Sequence, residues 1–579
     1  MTAHDDRGPT GLPGRPAGRV LAVGIDAMTW WMVEGAMAGG RLPHLRGLLE
    51  RSAVARLDDR KGHRTGLVWE QFLTGRSPAG VGRWQAVHYD PDTYRCHQVG
   101  ALHAPFFAGE NGPRTIAFDV PYLSTAFETD GAVVAAWGAH DPGHSRGSRP
   151  AGLLAEIDAT FGPHPACGND YQVVWHRPEW VERLGAALQD GASRRPSIVR
   201  WLQARVPGWE LCLTAFSELH SASEMFWHGV DPRHPLAGGA TAELAGRWLR
   251  NVYDAVDEAL GELLESVTAD DHVVVFCTHG MGTNASDLPS MVLLPELLHR
   301  MEIGSPLLRN PQGPPPGLGD AVPGIPPDST WAREIDRHFP GRARRRVRQA
   351  ARSLAPVAAP RLHRQLTRRP LAELDRAVVA PGLFGVPVRA ETADHGTRST
   401  LAWHQARRYE RYWPRMHAFV LPGFYDTAIR INLEGRDRHG LVAAEAYRGW
   451  CDRLEATLRQ LRNPYTGNPV VSGVLRPRAH DPYASAPTDA DLVVSWAEPA
   501  CALEHPALGV VGPFPMRRPG GHGDPVGFAA VAGPGIPARH LGTRLPPDVP
   551  ATILALLGRA PEAGMEGAPL VERQPPLLD

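Results

Sequence analysis

Histidine and carboxylate side chains recur where predicted buried strands end. His220 and Glu224 follow the apolar run 209–216 and lie four residues apart, so on a helix both side chains share one face. With His522, in the segment RRPGGHGDPVGF, they make two imidazoles and one carboxylate, a donor set of catalytic zinc sites. The three residues therefore predict a zinc site. Taken alone, the pair more often forms a surface hydrogen bond, and His522 could be an exposed loop imidazole.

A carboxylate and a hydroxyl mark a second set of candidate site residues. The apolar run 20–25 ends at Asp26, and Thr65 stands at the predicted start of a helix that runs to residue 73. A buried strand ending in Asp places an oxygen ligand at the carboxyl edge of a sheet, where open α/β sheets bind ligands. A helix start favours an anion or a phosphoryl group, because its N–H groups are unpaired and its dipole is positive there. The pattern predicts Asp26 as a metal ligand and Thr65 beside a phosphoryl group.

The elements that must position these residues alternate between strands and helices. Buried strands are predicted at 20–25, 52–57, 115–120, 132–137, 209–216, 272–276, 416–421, 429–433, 491–496 and 528–532. Helices are predicted at 178–205, 241–267, 441–461 and 547–557. This alternation predicts an α/β fold, with a mostly parallel sheet sandwiched by helices.

The length and composition suggest more than one unit. We predict a flexible tail at 1–17, a first part of the α/β core at 18–303, an inserted cap at 304–379 and a second part of the core at 380–579. The insertion is Pro- and Gly-rich at first and strongly basic at 341–369. Its basic helices are expected to form a solvated face, with an acidic partner or the substrate's phosphate as the alternative.

Charge and hydropathy exclude several classes of partner. The net charge is −1, so we expect neither nucleic acid nor an anionic membrane as a partner. No apolar run approaches the length of a transmembrane helix, and the N-terminus lacks the apolar region of a secretory signal. These features predict a cytoplasmic protein. The six cysteines form no CxxC motif and are expected to be reduced.

The opening block resembles the alkaline phosphatase superfamily, and within it the type I phosphodiesterase/nucleotide pyrophosphatase branch. In that branch a strand ends in a metal-binding Asp and a helix with a GRLPHL-like sequence follows, as at Asp26 and residues 40–45. A Thr or Ser nucleophile then precedes the Gly of a TG pair by ten positions, a spacing that Thr65 and Gly75 keep. The resemblance implies an alkaline-phosphatase-like core and a nucleophilic Thr65.

The resemblance also implies a first metal site with exchanged ligand types. The family segment reads Asp, three residues, His, and then a Trp three positions on. With Trp227 fixing the alignment, His220 takes the Asp position and Glu224 takes the His position. Both remain competent ligands, and His522 matches the family's last ligand in its glycine-rich loop.

The implied second metal site loses a carboxylate. The family shows Asp-His-Gly-Met where this chain has Thr278 followed by His279. A neutral hydroxyl is a poorer ligand for a divalent cation than a carboxylate. A site built from Asp26, Thr65 and His279 is therefore expected to bind its metal more weakly.

The family resemblance implies a phosphodiesterase or nucleotide pyrophosphatase that acts on a small phosphate ester or nucleotide through a phosphorylated Thr65. One or two divalent ions are expected, Zn²⁺ first, with Mn²⁺ or Mg²⁺ at the weaker site. The candidates for substrate contacts are Lys61, Arg64, Asn284 and Arg436. Lys61 and Arg64 could instead belong to a solvated loop, and Arg436 to a structural ion pair.

Other functions stay open at this stage. One is an enzyme of the same fold acting on a phosphonate, a phosphomonoester or a sulfate ester, or transferring a phosphoryl group. Another is a catalytically degenerate binding protein, which Thr278 and the exchanged ligands motivate. Cys277, two residues before His279, is an alternative nucleophile, although its place at the end of a buried strand predicts a structural thiol.

Overall fold

The computed structural model describes residues 18–58, 67–138, 146–166, 173, 175–311, 322–340, 378–381, 387–390, 401, 403–478 and 481–571. Three candidate site residues, Lys61, Arg64 and Thr65, lie outside these ranges, as do the tail 1–17 and the basic segment 341–369. The roles predicted for them stay predictions.

The strands of the described chain are short, and several of them alternate with helices. In chain order they are β1 (Val20–Ile25), β2 (Ala53–Asp58), β3 (Val87–Asp90), β4 (Arg95–Gln98), β5 (Thr115–Phe118), β6 (Gly131–Ala135), β7 (Gly147–Arg149), β8 (Leu211–Phe216), β9 (His272–Cys277), β10 (Gly280–Thr283), β11 (Val378–Pro381), β12 (Pro387–Ala390), β13 (Ala418–Leu421), β14 (Thr427–Ile431), β15 (Val471–Leu475), β16 (Leu492–Trp496), β17 (Leu503–His505), β18 (Gly509–Val511), β19 (Gly520–Asp524), β20 (Val526–Ala532) and β21 (Arg539–Arg544).

The α-helices of the described chain range from one turn to almost eight. They are α1 (Trp30–Ala38), α2 (Pro43–Glu50), α3 (Val68–Thr74), α4 (Pro78–Val81), α5 (Leu153–Phe161), α6 (Pro178–Arg205), α7 (Glu218–Phe226), α8 (Ala242–Leu264), α9 (Leu294–Ile303), α10 (Trp331–Asp336), α11 (Tyr447–Arg459) and α12 (Asp548–Leu556). Among them, none has the length and hydropathy needed to cross a lipid bilayer.

A nine-stranded mixed sheet forms the centre of the fold, in the order β21-β2-β20-β9-β1-β8-β5-β6-β7. Strand β20 is antiparallel to β2 and β9, and β7 is antiparallel to β6. The other neighbours run parallel. All six residues of β1 are buried, as expected for a parallel strand covered on both faces.

Helices cover both faces of this sheet. Because side chains alternate along a strand, Leu21 and Val23 of β1 join a hydrophobic core with α1, α2, α6 and α8. Val20 and Ala22 join a core on the other face, with α3 and α12. The predicted α/β fold, a mostly parallel sheet sandwiched by helices, is confirmed.

A second sheet, of four antiparallel strands, has the order β13-β14-β16-β15. Its core includes residues of α9, α10 and α11 and of the β3–β4 hairpin. The strands predicted at 416–421, 429–433 and 491–496 do form, but in this separate sheet and not in the central one. They pair as antiparallel neighbours and bury their apolar side chains in a core of their own. The division into a core and a cap at 304–379 stays a prediction.

Candidate metal centre

The register of the central sheet brings candidate ligands to one edge. Ile25 of β1 is level with Phe216 of β8, and Gly24 is level with Phe276 of β9. The residues that follow these parallel strands therefore emerge side by side. They are Asp26 after β1, helix α7 after β8, and Thr278–His279 after β9.

His522 reaches the same edge from a distant part of the chain. It lies on β19, which pairs with β10, directly before β20 enters the sheet antiparallel to β9. The ring centroids of His522 and His279 are 4.5 Å apart, and those of His522 and His220 are 4.9 Å apart. Three imidazoles from three segments thus meet at one place.

Donor atoms of His220, Glu224 and His522 converge most closely. Nε2 of His220 lies 2.8 Å from Nε2 of His522 and 3.6 Å from Oε1 of Glu224. One ligand atom from each residue lies within 4.8 Å of the other two. Tetrahedral zinc, with Zn–N bonds of roughly 2.0–2.1 Å, separates two ring nitrogens by about 3.3 Å. The set fits a divalent cation if the two rings separate by about half an ångström.

Asp26 links this cluster to His279. Its Oδ1 lies 3.3 Å from Nε2 of His279, and its Oδ2 lies 3.7 Å from Nδ1 of His220. Asp26 is buried, so its charge requires compensation by hydrogen bonds or a cation. His220 therefore faces Asp26 with one ring nitrogen and the other two ligands with its second.

Trp69 of α3 also holds Asp26, since its Nε1 donates to Oδ1 at 2.8 Å. A side chain at Gly24 would exclude this ring, because a Cβ there would lie 2.5 Å from an atom of the indole. The beginning of α3 is thereby docked beside Asp26. Leu67, the first described residue after 59–66, precedes this helix directly.

Thr278 carries an unsatisfied hydroxyl at the same edge. Its Oγ1 is buried and has no hydrogen-bond partner, although buried hydroxyls are normally bonded. It immediately precedes His279. An orphaned oxygen at this position suits a site that a cation or a substrate oxygen would complete.

A buried ionic network adjoins the cluster on the side of Glu224. Arg518 donates to Oε1 of Glu224 through Nη1 and to Asp287 through Nε at 2.9 Å. Arg517 also donates to Asp287, at 2.9 Å. Both arginines and Asp287 are buried, so Arg518 shares its charge between two carboxylates.

The segment that carries these arginines and leads into His522 is fixed through its backbone. Trp175 Nε1 donates to the carbonyl of Arg517 at 2.9 Å, and His234 Nε2 lies 3.1 Å from the carbonyl of Pro519. Asn284 donates to the Pro519 carbonyl through its backbone and to the Gly520 carbonyl through its side chain.

Two residues predicted to contact substrate have protein partners. The Asn284 side chain donates to Gly520 and accepts from the backbone N–H groups of Ser286 and Asp287. Arg436 donates two hydrogen bonds, of 2.8 and 2.6 Å, to Asp491. For Arg436 this is the structural ion pair that the sequence left open. Their roles toward a substrate remain predictions.

Helix α7 is anchored behind the cluster by charges that no motif indicated. Arg195, fully buried in α6, donates at 2.7 Å both to Glu218 and to Asp119. His164 Nε2 lies 3.0 Å from Glu218. Burial by itself would raise the pKa of Glu218, but the positive charge of Arg195 and the hydrogen bond of His164 lower it to about 2. Because Glu218 opens α7, this network fixes the helix that carries two candidate ligands.

Cys277 is a buried structural thiol. Its Sγ accepts from the Met28 N–H at 3.2 Å and donates to the His279 carbonyl at 2.9 Å. Burial raises the pKa of Cys277 to about 12. Since the thiolate is the reactive form, this environment opposes the alternative in which Cys277 is the nucleophile.

Tyr425, in the segment between β13 and β14, packs against the cluster. Its ring centroid lies 4.3 Å from that of His522, with an interplanar angle of 34°. Tyr425, Trp69 and Arg518 were missed in the sequence, because none belongs to a ligand motif. Of the three, only Arg518 could have been found from the sequence, because it lies close to His522 along the chain.

Comparison with known proteins gives structural similarity only. No protein-family model matches this chain, and no curated protein matches its sequence. The chain is similar to phosphonoacetate hydrolase from Sinorhizobium meliloti 1021 in complex with phosphonoformate, with 13% identity and a TM-score of 0.43, over 94% of this chain and 96% of that one. It is also similar to human ectonucleotide pyrophosphatase/phosphodiesterase 5, with 10% identity and a TM-score of 0.40, over 95% and 97% of the two chains. A mutant of alkaline phosphatase PafA has 9% identity and a TM-score of 0.41, over 96% and 99%.

Proposed function

We propose that this protein is a metal-dependent hydrolase of phosphate esters, most specifically a phosphodiesterase or nucleotide pyrophosphatase that uses Thr65 as its nucleophile. The convergence of five candidate ligands at one sheet edge carries this proposal. They are Asp26, His220, Glu224, His279 and His522. The sequence similarity of the opening block to the phosphodiesterase branch supports the choice of Thr65.

The ligands divide into two groups in this proposal. His220, Glu224 and His522 would hold one divalent cation, for which zinc suits the two imidazoles. Asp26 and His279, with Thr65, would hold the second. When bound, such cations stabilise negative charge on a phosphoryl oxygen and lower the pKa of a coordinated hydroxyl.

The chain's own residues perform the remaining tasks. The Oγ of Thr65 forms a bond to phosphorus while the bond from phosphorus to the leaving oxygen breaks. The hydroxyl proton passes to solvent, and the leaving oxygen takes up a proton. Water then attacks phosphorus, the bond from phosphorus to Oγ breaks, and the Thr65 oxygen takes up a proton as the phosphate product leaves. Trp69 keeps Asp26 oriented through the hydrogen bond to Oδ1, and buried surroundings strengthen each charge interaction.

A catalytically degenerate binding protein is the second candidate. Two observations favour it. Thr278 replaces the expected carboxylate, and Arg518 already occupies an oxygen of Glu224. Such a protein would bind a cation and a phosphate ester without turning the ester over.

Turnover of bis-p-nitrophenyl phosphate, p-nitrophenyl phosphate and p-nitrophenyl sulfate by zinc-loaded protein tests the proposal. We expect the diester to react fastest. Thr65→Ala should abolish turnover while zinc stays bound at His220, Glu224 and His522, and Thr65→Ser should retain part of the turnover because a hydroxyl remains.

Equal turnover by Thr65→Ala would remove Thr65 as the nucleophile. Faster turnover of the monoester or the sulfate would move the assignment to another enzyme of the same fold. Bound zinc without turnover of any of the three esters would favour the degenerate binding protein.

A further inference from the structure

Arg518 occupies the ligand atom of Glu224 that faces the cluster. Oε1 of Glu224 is the oxygen that lies 3.6 Å from Nε2 of His220, and the same Oε1 accepts from Nη1 of Arg518. A guanidinium and a divalent cation thus have one acceptor in common. Glu224 is buried, with 4% of its surface exposed, so water screens its charge little.

The guanidinium is held in position independently of Glu224. Arg518 donates to Asp287 through Nε at 2.9 Å and through Nη2 at 3.2 Å. Asp287 is itself buried, and its backbone N–H donates to Oδ1 of Asn284 at 3.0 Å. When a cation takes the Glu224 oxygen, Arg518 therefore stays nearby, and its positive charge repels the cation.

We propose that Arg518 and a divalent cation compete for Oε1 of Glu224, so that Arg518 sets the metal affinity of the His220–Glu224–His522 cluster. The inference rests on the proposed function, because it concerns the same metal centre. Arg518 is a positioning residue in this role, since it acts through Glu224. With Arg518 present, the cation is held weakly enough to exchange. Without Arg518, the unpaired buried carboxylate of Glu224 beside two imidazoles would hold the cation more tightly.

Arg517 offers a matched control. It is adjacent to Arg518, also buried, and donates to the same Asp287 at 2.9 Å, but within the described chain it makes no hydrogen bond to Glu224. In Arg518→Gln, Asp287 keeps Arg517 as a partner, so the buried network retains a charge pair. Arg518→Met is a second variant, because it removes the guanidinium altogether and leaves Glu224 without a cationic partner, a charge that a bound cation would compensate.

Calorimetric titration of metal-stripped protein with Zn²⁺ tests the inference. We expect Arg518→Gln and Arg518→Met to bind zinc about tenfold or more tightly than the unmodified protein, and Arg517→Gln to stay within about threefold of it. In a Glu224→Gln background, Arg518→Gln should give a clearly smaller gain, because the shared carboxylate is gone and only the charge repulsion remains. Circular dichroism confirms that each variant is folded.

Failure of this inference and failure of the proposed function give different results. Unchanged or weaker zinc binding by folded Arg518 variants would overturn the competition while leaving the metal centre intact. An equal gain in Arg517→Gln would also overturn it, by showing a general charge effect. If the unmodified protein bound no divalent cation, both this inference and the proposed function would be lost.

Discussion

Gly520 lies where two ligand-bearing segments of the metal centre, β19 and α7, come into contact. It begins β19, the strand that carries His522, and lies against the backbone of α7, which carries Glu224. A Cβ at Gly520 would lie 2.0 Å from the carbonyl oxygen of Ser223 and 3.1 Å from the Cα of Glu224. Gly520→Ala therefore forces the two segments apart.

The size of this displacement follows from the contact distance. Ordinary van der Waals contact needs at least 3.4 Å, so the gap must open by about 1.4 Å. Ser223 is fully buried and the obstacle is backbone, so a rotamer change cannot relieve it. Metal ligands must stay within roughly 0.2 Å of their bonding distances.

We expect Gly520→Ala to lower zinc affinity by about 100-fold, the upper range for disturbed support of a metal ligand. The overpacked contact should also destabilise the fold by about 1–3 kcal/mol. Competition between metal-stripped protein and a chromogenic zinc chelator measures the affinity, and chemical denaturation measures the stability.

Gly473→Ala is the control for this variant. Gly473 lies on β15, an edge strand of the four-stranded sheet, and a Cβ there meets nothing within 4 Å. Neither glycine has a left-handed backbone, so both sites accept alanine conformationally, and the space around the added methyl group is what the comparison tests. If folded Gly520→Ala bound zinc as the unmodified protein does, the contact between β19 and α7 would not hold the ligands together.

Further predictions concern the residues around the cluster. Thr278→Asp should add a carboxylate to the second group of ligands and raise the zinc content measured by elemental analysis; an unchanged content would contradict that location. Arg195→Met leaves Glu218 and Asp119 buried without their cation and should cost about 3–5 kcal/mol in denaturant unfolding, whereas a loss below about 1 kcal/mol would refute the network's importance. Because the folded-state pKa of Glu218 is lowered from 4.5 to about 2, its stabilisation is present above pH 4.5 and is lost as the pH falls toward 2; Glu218→Gln should flatten the dependence of melting temperature on pH in that window, and an identical pH dependence would contradict the ion pairing. Cys277→Ala should retain ester turnover, and iodoacetamide should not modify Cys277 in folded protein; rapid alkylation with loss of turnover would reverse this assignment.

Local sequence patterns predicted much of the central fold. Helix α6 spans Pro178–Arg205, as the apolar spacing predicted, and β9 extends the predicted strand 272–276 by one residue. A polar residue directly after a buried apolar run, such as Asp26, indicates the edge of a sheet, because the run must end where ligands or solvent begin. Such signals are local and can be read along the chain.

Contacts between distant segments could not be predicted in this way. Arg518 meets Glu224 across 294 positions, and Trp69 meets Asp26 across 43. Neither partner shows a motif, since any buried arginine or tryptophan can be satisfied in many ways. The separate sheet of β13–β16 was not predicted, for a related reason. Short apolar runs specify strands but not the sheet in which they pair.

The central claim is that the side chains at this sheet edge bind a divalent cation. A crystal of zinc-loaded protein, with diffraction recorded at the zinc absorption edge, tests it directly. The account predicts an anomalous peak between the ring nitrogens of His220 and His522, within bonding distance of a Glu224 oxygen. No peak there, or zinc bound only at surface histidines elsewhere, would contradict it.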